Sequence, residues 1–87
     1  MNKLSKYKVC GEVNTTITGK LLHLILDDLA NQNGEIVVPQ SKIADALHIS
    51  RSAVRRNLHR LERAAKISII PTYHNDGGRA ANKYLLR

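Results

Sequence analysis

The sequence predicts a mainly α-helical fold with a small β-hairpin, built as a three-helix core beside a two- or three-stranded antiparallel sheet. Apolar residues recur at helical spacing in three separate segments of the 87-residue chain. Only a short polar break separates the second segment from the third. Two short stretches with strand character then flank a turn rich in Asn, Asp and Gly. These three features indicate helices first and a hairpin last.

Composition limits the class of protein. A chain of 87 residues makes one small domain, and a hydrophobic content of 43% without Phe or Trp requires an aliphatic core. Fourteen Lys and Arg against seven Asp and Glu give a formal charge of +7. This excess favours a polyanionic partner, nucleic acid before an anionic membrane surface.

Location is predicted from what the chain lacks. The single Cys10 cannot form an internal disulfide, which fits a reducing cytosol. No apolar run approaches the roughly 18 residues of a membrane span. The basic N-terminus has no continuous apolar stretch of the kind found in a signal peptide. We therefore expect a cytoplasmic, nucleoid-associated protein with no membrane partner.

Residues 1–15 are predicted to lie outside the helical domain. Lys3, Lys6 and Lys8 are interleaved with apolar residues, and this pattern fits a basic N-terminal arm or a short strand. The domain itself is predicted to cover residues 16–87.

The first predicted helix covers residues 19–32, with the hydroxyl of Thr18 as its N-cap. Gly34 tolerates the left-handed conformation that ends a helix. A short β-branched strand follows at residues 35–38, and Pro39 fits the entry of the next helix. The broad apolar face of the first helix consists of Leu21, Leu22, Ile25, Leu26, Leu29 and Ala30.

The second predicted helix is Gln40–Leu47 and the third covers residues 51–65. His48 occupies the tight turn between them, where a positive φ is commonly needed. Ser50 is the predicted N-cap of the third helix. The buried stripe of that helix, at spacing i, i+4, i+7 and i+11, is Val54, Leu58, Leu61 and Ala65.

A hairpin is predicted directly after the third helix. Residues 66–73 form its first strand, residues 74–79 its turn and residues 82–86 the returning strand. Tyr84 is predicted to pack this hairpin onto the third helix.

From Thr18 onward the chain resembles winged helix-turn-helix domains, and it is similar to the small modules of phage, plasmid and mobile-element proteins, including replication initiators. The resemblance implies a winged-helix fold that binds double-stranded DNA, as a transcriptional regulator or a replication or recombination factor. Two positions depart from the family, since His48 and Ala65 stand where Gly is common. The matching residues are Ile43, Ala44, Leu47, Ile49, Ser50, Arg51, Ser52, Val54, Leu58, Leu61, Ile67, Gly77, Gly78, Arg79, Asn82, Lys83, Tyr84 and Leu85.

The third helix carries the predicted DNA-reading surface. On a helical wheel its outward face is opposite the apolar stripe and consists of Ser52, Arg55, Arg56, His59, Arg60 and Arg63. Ser52, Arg56 and Arg55 lie in the N-terminal half, which approaches base edges, and Arg suits guanine because its planar fork donates to O6 and N7 together. Arg60 and Arg63 lie further along and are predicted to meet phosphates.

Further phosphate contacts are predicted around this helix. Ser50 and Arg51 lie at its N-terminus, where free N–H groups and the helix dipole favour an anion. Arg79 in the hairpin turn is predicted to reach the adjacent minor groove or its phosphates. Backbone contacts from the start of the second helix are predicted for Gln40, Ser41 and Lys42.

Other interpretations stay open beside this one. A row of arginines is also typical of a solvated helix face, and a winged helix without DNA binding can serve as a protein-interaction adaptor. A binder of structured RNA is a third possibility. A monomer and a two-fold homodimer are equally compatible with the sequence.

No catalytic role or cofactor is predicted. The four histidines lack the paired spacing of a metal site, and no acid forms a spaced pair with a histidine or serine. His23 is predicted to be an exposed or half-buried residue of the first helix.

Overall fold

The structure, a computed structural model, describes residues 4–73, 75–77 and 82–87, apart from the side chain of Lys6. Four helices and a three-stranded antiparallel sheet make up this part of the chain. In chain order they are α1 (Ser5–Gly11), α2 (Ile17–Leu29), β1 (Glu35–Ile36), α3 (Gln40–Leu47), α4 (Arg51–Arg63), β2 (Ile67–Ile70) and β3 (Lys83–Leu86). Strand β3 lies between β1 and β2. The prediction of a small, largely helical chain with an antiparallel sheet is confirmed in this coarse form.

The prediction of an arm or strand at the N-terminus is wrong for the residues that form α1. This helix packs against α2, and it buries Cys10, with Val13 buried just beyond its end. This segment therefore contributes buried side chains to the protein interior, although its sequence is rich in lysine. Burial of these two side chains favours an ordered helix here, since a helix this short depends on packing.

Helix α2 starts two residues earlier than predicted, because Thr16 and not Thr18 is its N-cap. The Thr16 hydroxyl accepts the Gly19 N–H at 3.0 Å. Gly19 lies close to the preceding loop, since a Cβ built there would come within 2.6 Å of the Thr15 hydroxyl oxygen. A larger residue at this position would force that loop away from the helix.

The same helix ends at Leu29, three residues before the predicted end. Ala30 is already extended, with φ −67° and ψ 140°. The side-chain oxygen of Asn31 accepts the N–H groups of Asn33 and Glu35, at 2.9 and 3.0 Å. Asparagine thus satisfies the backbone locally in a turn, in competition with the helix. Strand β1 is correspondingly short and ends before the predicted residues 37 and 38.

Helices α3 and α4 end in the same motif. After α3, His48 has φ 55°, and Ile49 N–H bonds the Ala44 carbonyl at 3.1 Å. After α4, Ala65 has φ 59°, and Lys66 N–H bonds the Leu61 carbonyl at 3.0 Å. Both are left-handed terminations of the Schellman type. The prediction of a positive φ at His48 is confirmed.

The predicted bounds of α3 are confirmed, whereas α4 stops at Arg63 and not at residue 65. Ala65 is exposed, so its place in the buried stripe was wrong: the left-handed turn takes it off the helical face. Val54, Leu58 and Leu61 are fully buried as predicted. On α2, Leu21 and Leu29 are exposed, which corrects their predicted burial.

Tyr84 packs the sheet against these helices. In β3 this residue pairs with Ile36 on one side and Ile69 on the other. Its ring is buried in the same core cluster as Leu58 and Leu61, as predicted. Burial raises the pKa of the Tyr84 hydroxyl, and hydrogen bonds with the side chains of Gln40 and Asn82 oppose that rise. Strand β2 is shorter than the predicted strand over residues 66–73.

A buried polar pair joins α1 to α2. His23 Nδ1 lies 3.2 Å from Cys10 Sγ, and both residues are buried, so the prediction of an exposed or half-buried His23 is wrong. Burial lowers the pKa of His23; the charge of Asp27 opposes this shift and that of Lys66 adds to it. A neutral imidazole, which can accept the thiol hydrogen at Nδ1, is therefore favoured at pH 7.

The His23 environment makes stability depend on pH. Because its folded pKa lies below the ordinary 6.5, the unfolded chain takes up a proton more readily. The stabilisation is complete above that ordinary value and is lost as pH falls through the lowered folded pKa. We expect the free energy of unfolding in urea to fall between pH 7 and pH 5.5. His23→Gln should flatten the dependence, whereas His59→Gln, at an exposed position, should keep it. An equal effect of both variants would contradict this explanation.

The left-handed Ala65 predicts a stabilising substitution. An L-residue pays about 1–2 kcal/mol in this conformation, and glycine avoids that cost while losing about 0.5–1 kcal/mol through unfolded-state entropy. Ala65→Gly should therefore stabilise by about 0.5–1 kcal/mol in urea unfolding. Ala64→Gly is the matched control: Ala64 has φ −80°, so glycine there should destabilise. A loss of stability in Ala65→Gly would contradict the strain argument.

Candidate nucleic-acid interface

Helix α4 separates an apolar side from a charged side. Its buried residues are Val54, Asn57, Leu58 and Leu61, which recur every three or four positions and so lie on one face. The core holds this face and fixes the rotation of the helix. All the predicted contact residues of the helix are exposed, namely Arg51, Ser52, Arg55, Arg56, His59, Arg60 and Arg63.

The surface of α4 is predominantly positive. Between residues 51 and 66 there are six basic residues and one acid, a local excess of 6 − 1 = +5. That acid, Glu62, accepts the Ile69 backbone N–H at 3.0 Å with one oxygen, and its other oxygen lies 3.8 Å from His59 Nδ1. It is thus bound to β2 and to a neighbouring histidine. In the described part of the chain no arginine of α4 forms a salt bridge, so their charges face solvent uncompensated.

The N-terminus of α4 is capped by the predicted residue. The Ser50 hydroxyl accepts the Ala53 N–H at 3.0 Å, which confirms the cap. The hydroxyl oxygen is therefore engaged within the helix. The backbone N–H groups of Arg51 and Ser52 precede the first intrahelical bond and are the groups that can meet an anion there.

The start of α3 is only partly available for contacts. Lys42 is exposed, while Gln40 and Ser41 are half-buried. The side chain of Gln40 is hydrogen-bonded to the Tyr84 hydroxyl. Gln40 therefore has a structural role between α3 and β3 in addition to its predicted contact role.

Asn57 is a residue that the sequence prediction missed. It is buried; its Oδ1 accepts the Thr16 hydroxyl at 2.8 Å and lies 3.5 Å from Arg60 Nη1, and its amide group donates to the Ala53 carbonyl at 2.8 Å. This network ties the N-cap of α2 to the middle of α4 and holds Arg60 at one edge of the helix. The signal was available, because Asn57 follows Val54 by three residues and so faces inward.

Arg60 and Arg63 line a cleft that the other arginines of α4 do not line. The cleft has a volume of about 500 Å³ and is lined by Asn14, Thr15, Thr16, Arg60, Arg63 and Ala64. Two guanidinium groups beside hydroxyl and amide groups suit a phosphate oxygen. The lining of this cleft thus includes Arg60 and Arg63 but not Arg55 or Arg56.

The predicted hairpin contact cannot be compared in the same way, since Arg79 and His74 lie outside the described residues. Gly77, at the turn, has φ 88°, a conformation that glycine adopts without strain.

Within the described residues, no group of three or more His, Cys, Asp or Glu side chains is arranged to hold a metal ion. None of the helices there has the length and apolar character needed to cross a membrane.

Comparison of the chain with protein-family models, with curated proteins and with solved structures finds no match. What the surface can do chemically therefore follows from its own geometry. A helix face with several exposed guanidinium groups can bind the phosphates of a polyanion.

Proposed function

We propose that this chain is a winged helix-turn-helix module that binds double-stranded DNA sequence-specifically. Helix α4 enters the major groove, α3 and the α3–α4 turn support it, and the β2–β3 hairpin is the wing. The observation that carries the proposal is the outward face of α4, where Arg55, Arg56, Arg60 and Arg63 are exposed while the opposite face is buried. By resemblance, the module acts as a transcriptional regulator or as a replication or recombination factor of a mobile element.

The dimensions of the partner fit this surface. An α-helix with its side chains is about 10–12 Å across, and the major groove of B-DNA is about 12 Å wide. The N-terminal half of α4 reaches the base edges in such docking. Ser52, Arg55 and Arg56 are exposed in that half. Arginine recognises guanine with two parallel hydrogen bonds, and each such pair discriminates by about 1–3 kcal/mol.

The remaining basic groups serve affinity. Arg60 and Arg63 beside their cleft are assigned to phosphates, as are Arg51 at the start of α4 and the exposed Lys42. Phosphate contacts orient the protein on the duplex without reading sequence. The rigid terminations at His48 and Ala65 support this role, because they hold α4 at a fixed angle to α3 and to the sheet.

Salt dependence tests the groove-docking proposal. If about six phosphates are neutralised, log K should fall against log salt with a slope of about −5. We expect fluorescence anisotropy of a labelled random duplex to show this slope. Binding that hardly responds to salt would contradict groove docking. An absence of binding even at low salt would favour the adaptor interpretation, and stronger competition by A-form RNA would favour a structured-RNA binder.

Base reading and phosphate binding should separate in two variants. After selection of a preferred site from a random duplex library, Arg56→Ala should relax preference at one base pair by about 1–3 kcal/mol. Arg63→Ala should weaken all duplexes alike and reduce the salt slope by about one. Both side chains are exposed, so unchanged thermal unfolding is the control for the fold. Equal loss of sequence preference in both variants would overturn the assignment of roles along α4.

A further inference from the structure

Helix α2 has an apolar face on the side that points away from the core. Its buried residues include Leu22 and Leu26. Ile17, Leu21 and Leu24 recur at i, i+4 and i+7 and lie on the opposite side of the helix. Ile17 is 87% exposed and Leu21 43% exposed. A surface helix of a soluble protein ordinarily carries polar residues there, and a helix that is apolar on several sides is usually covered.

Helix α1 extends this apolar surface. Tyr7 lies with Ile17, Leu21 and Leu24 around a shallow cleft of about 230 Å³. Tyr7 is 55% exposed and Leu4 is 65% exposed, and Leu4 precedes Tyr7 by three residues, so both lie on one side of α1. We name these five residues, Leu4, Tyr7, Ile17, Leu21 and Leu24, the α1–α2 apolar face.

The size of this face is that of an interface. An aromatic side chain such as Tyr7 offers about 150–250 Å² and a Leu or Ile side chain somewhat less, so exposures of this order leave on the order of 500 Å² of apolar surface in water. That is at the upper end of what a monomer usually shows, about 300–600 Å². It is also more than half of the roughly 800 Å² that one partner contributes to a standard interface.

The charge of this region favours a second copy of the chain over a polyanion as the partner that covers the face. Residues 5–29 contain three lysines, at positions 6, 8 and 20, and three acids, at positions 12, 27 and 28, and so carry no net charge. The +7 of the chain therefore lies elsewhere, mostly on α4. A duplex or an anionic membrane is attracted to α4 and not to this face. Residues 5–29 therefore add no local charge repulsion between two copies of the chain that meet here.

We propose that two copies of this chain associate through the α1–α2 apolar face, with α1 and α2 of each copy packed against those of the other. The resulting four-helix arrangement covers Ile17 and Leu21 in both copies. Helix α4 packs against the opposite, buried side of α2, so both arginine surfaces remain free. Association through this face does not require DNA binding. If α4 does bind DNA, the dimer fixes the position of one α4 helix relative to the other.

The test is the mass of the full chain in solution without DNA. Sedimentation equilibrium over a wide concentration range should give a species of twice 9.7 kDa at high concentration. Ile17→Glu should weaken association by about tenfold or more, because each copy would bury a charge at the interface. An acid in the first turn of α2 is compatible with the helix dipole, so far-ultraviolet circular dichroism should be unchanged.

Val37→Glu is the matched control. Val37 is an exposed apolar residue outside the α1–α2 apolar face, and the same substitution there should leave the dimer intact. A wild-type chain that stays monomeric at every concentration would overturn the proposal. So would equal dissociation by both variants, or a dimer that persists in Ile17→Glu and in Leu21→Glu. Because no nucleic acid is present, none of these results bears on whether α4 binds DNA.

Discussion

The burial of Val54, Leu58 and Leu61 is the constraint on which the rest of the molecule depends. The core contains no Phe or Trp, so these aliphatic side chains, each fully buried, carry much of the hydrophobic stabilisation, at about 1.5–3 kcal/mol per side chain. A rotation of α4 by one residue, about 100°, would expose a leucine and bury an arginine. The fold therefore leaves α4 one orientation, with its guanidinium groups in solvent.

Some features set by local chemistry were predicted, whereas the N-cap of α2 and the helix α1, which depend on distant contacts, were not. Helix α3 and the positive φ of His48 follow from neighbours within a few residues. The N-cap of α2 does not, because Thr16 is selected over Thr18 through its bond to Asn57, 41 residues away. Helix α1 was missed for the same reason: its order comes from Cys10 meeting His23 on another helix, and a propensity argument contains no such contact.

The residues of the candidate site also differ in how far the sequence predicts their contacts. A helical wheel places the outward residues of α4 from periodicity alone, since the buried stripe fixes every other angle. The wheel does not reveal which of these side chains also make contacts within the fold. Gln40 is engaged by the Tyr84 hydroxyl, and Arg60 is oriented by Asn57. Gln40 and Tyr84 lie on different elements, so their pairing could be recognised only after the elements were in place. Asn57 and Arg60 lie three residues apart on α4, and their pairing follows from the inward position of Asn57.

The charge of the chain is unevenly distributed between two surfaces, the α1–α2 apolar face and the arginine face of α4. Self-association of a +7 chain is opposed by its own field, unless the contact lies where the charge cancels, as it does over residues 5–29. Polyanion binding needs the opposite condition, which α4 satisfies. A two-fold pair joined through α1 and α2 would present two α4 helices related by the same axis. A duplex read by such a pair would carry its half-sites in matching two-fold symmetry.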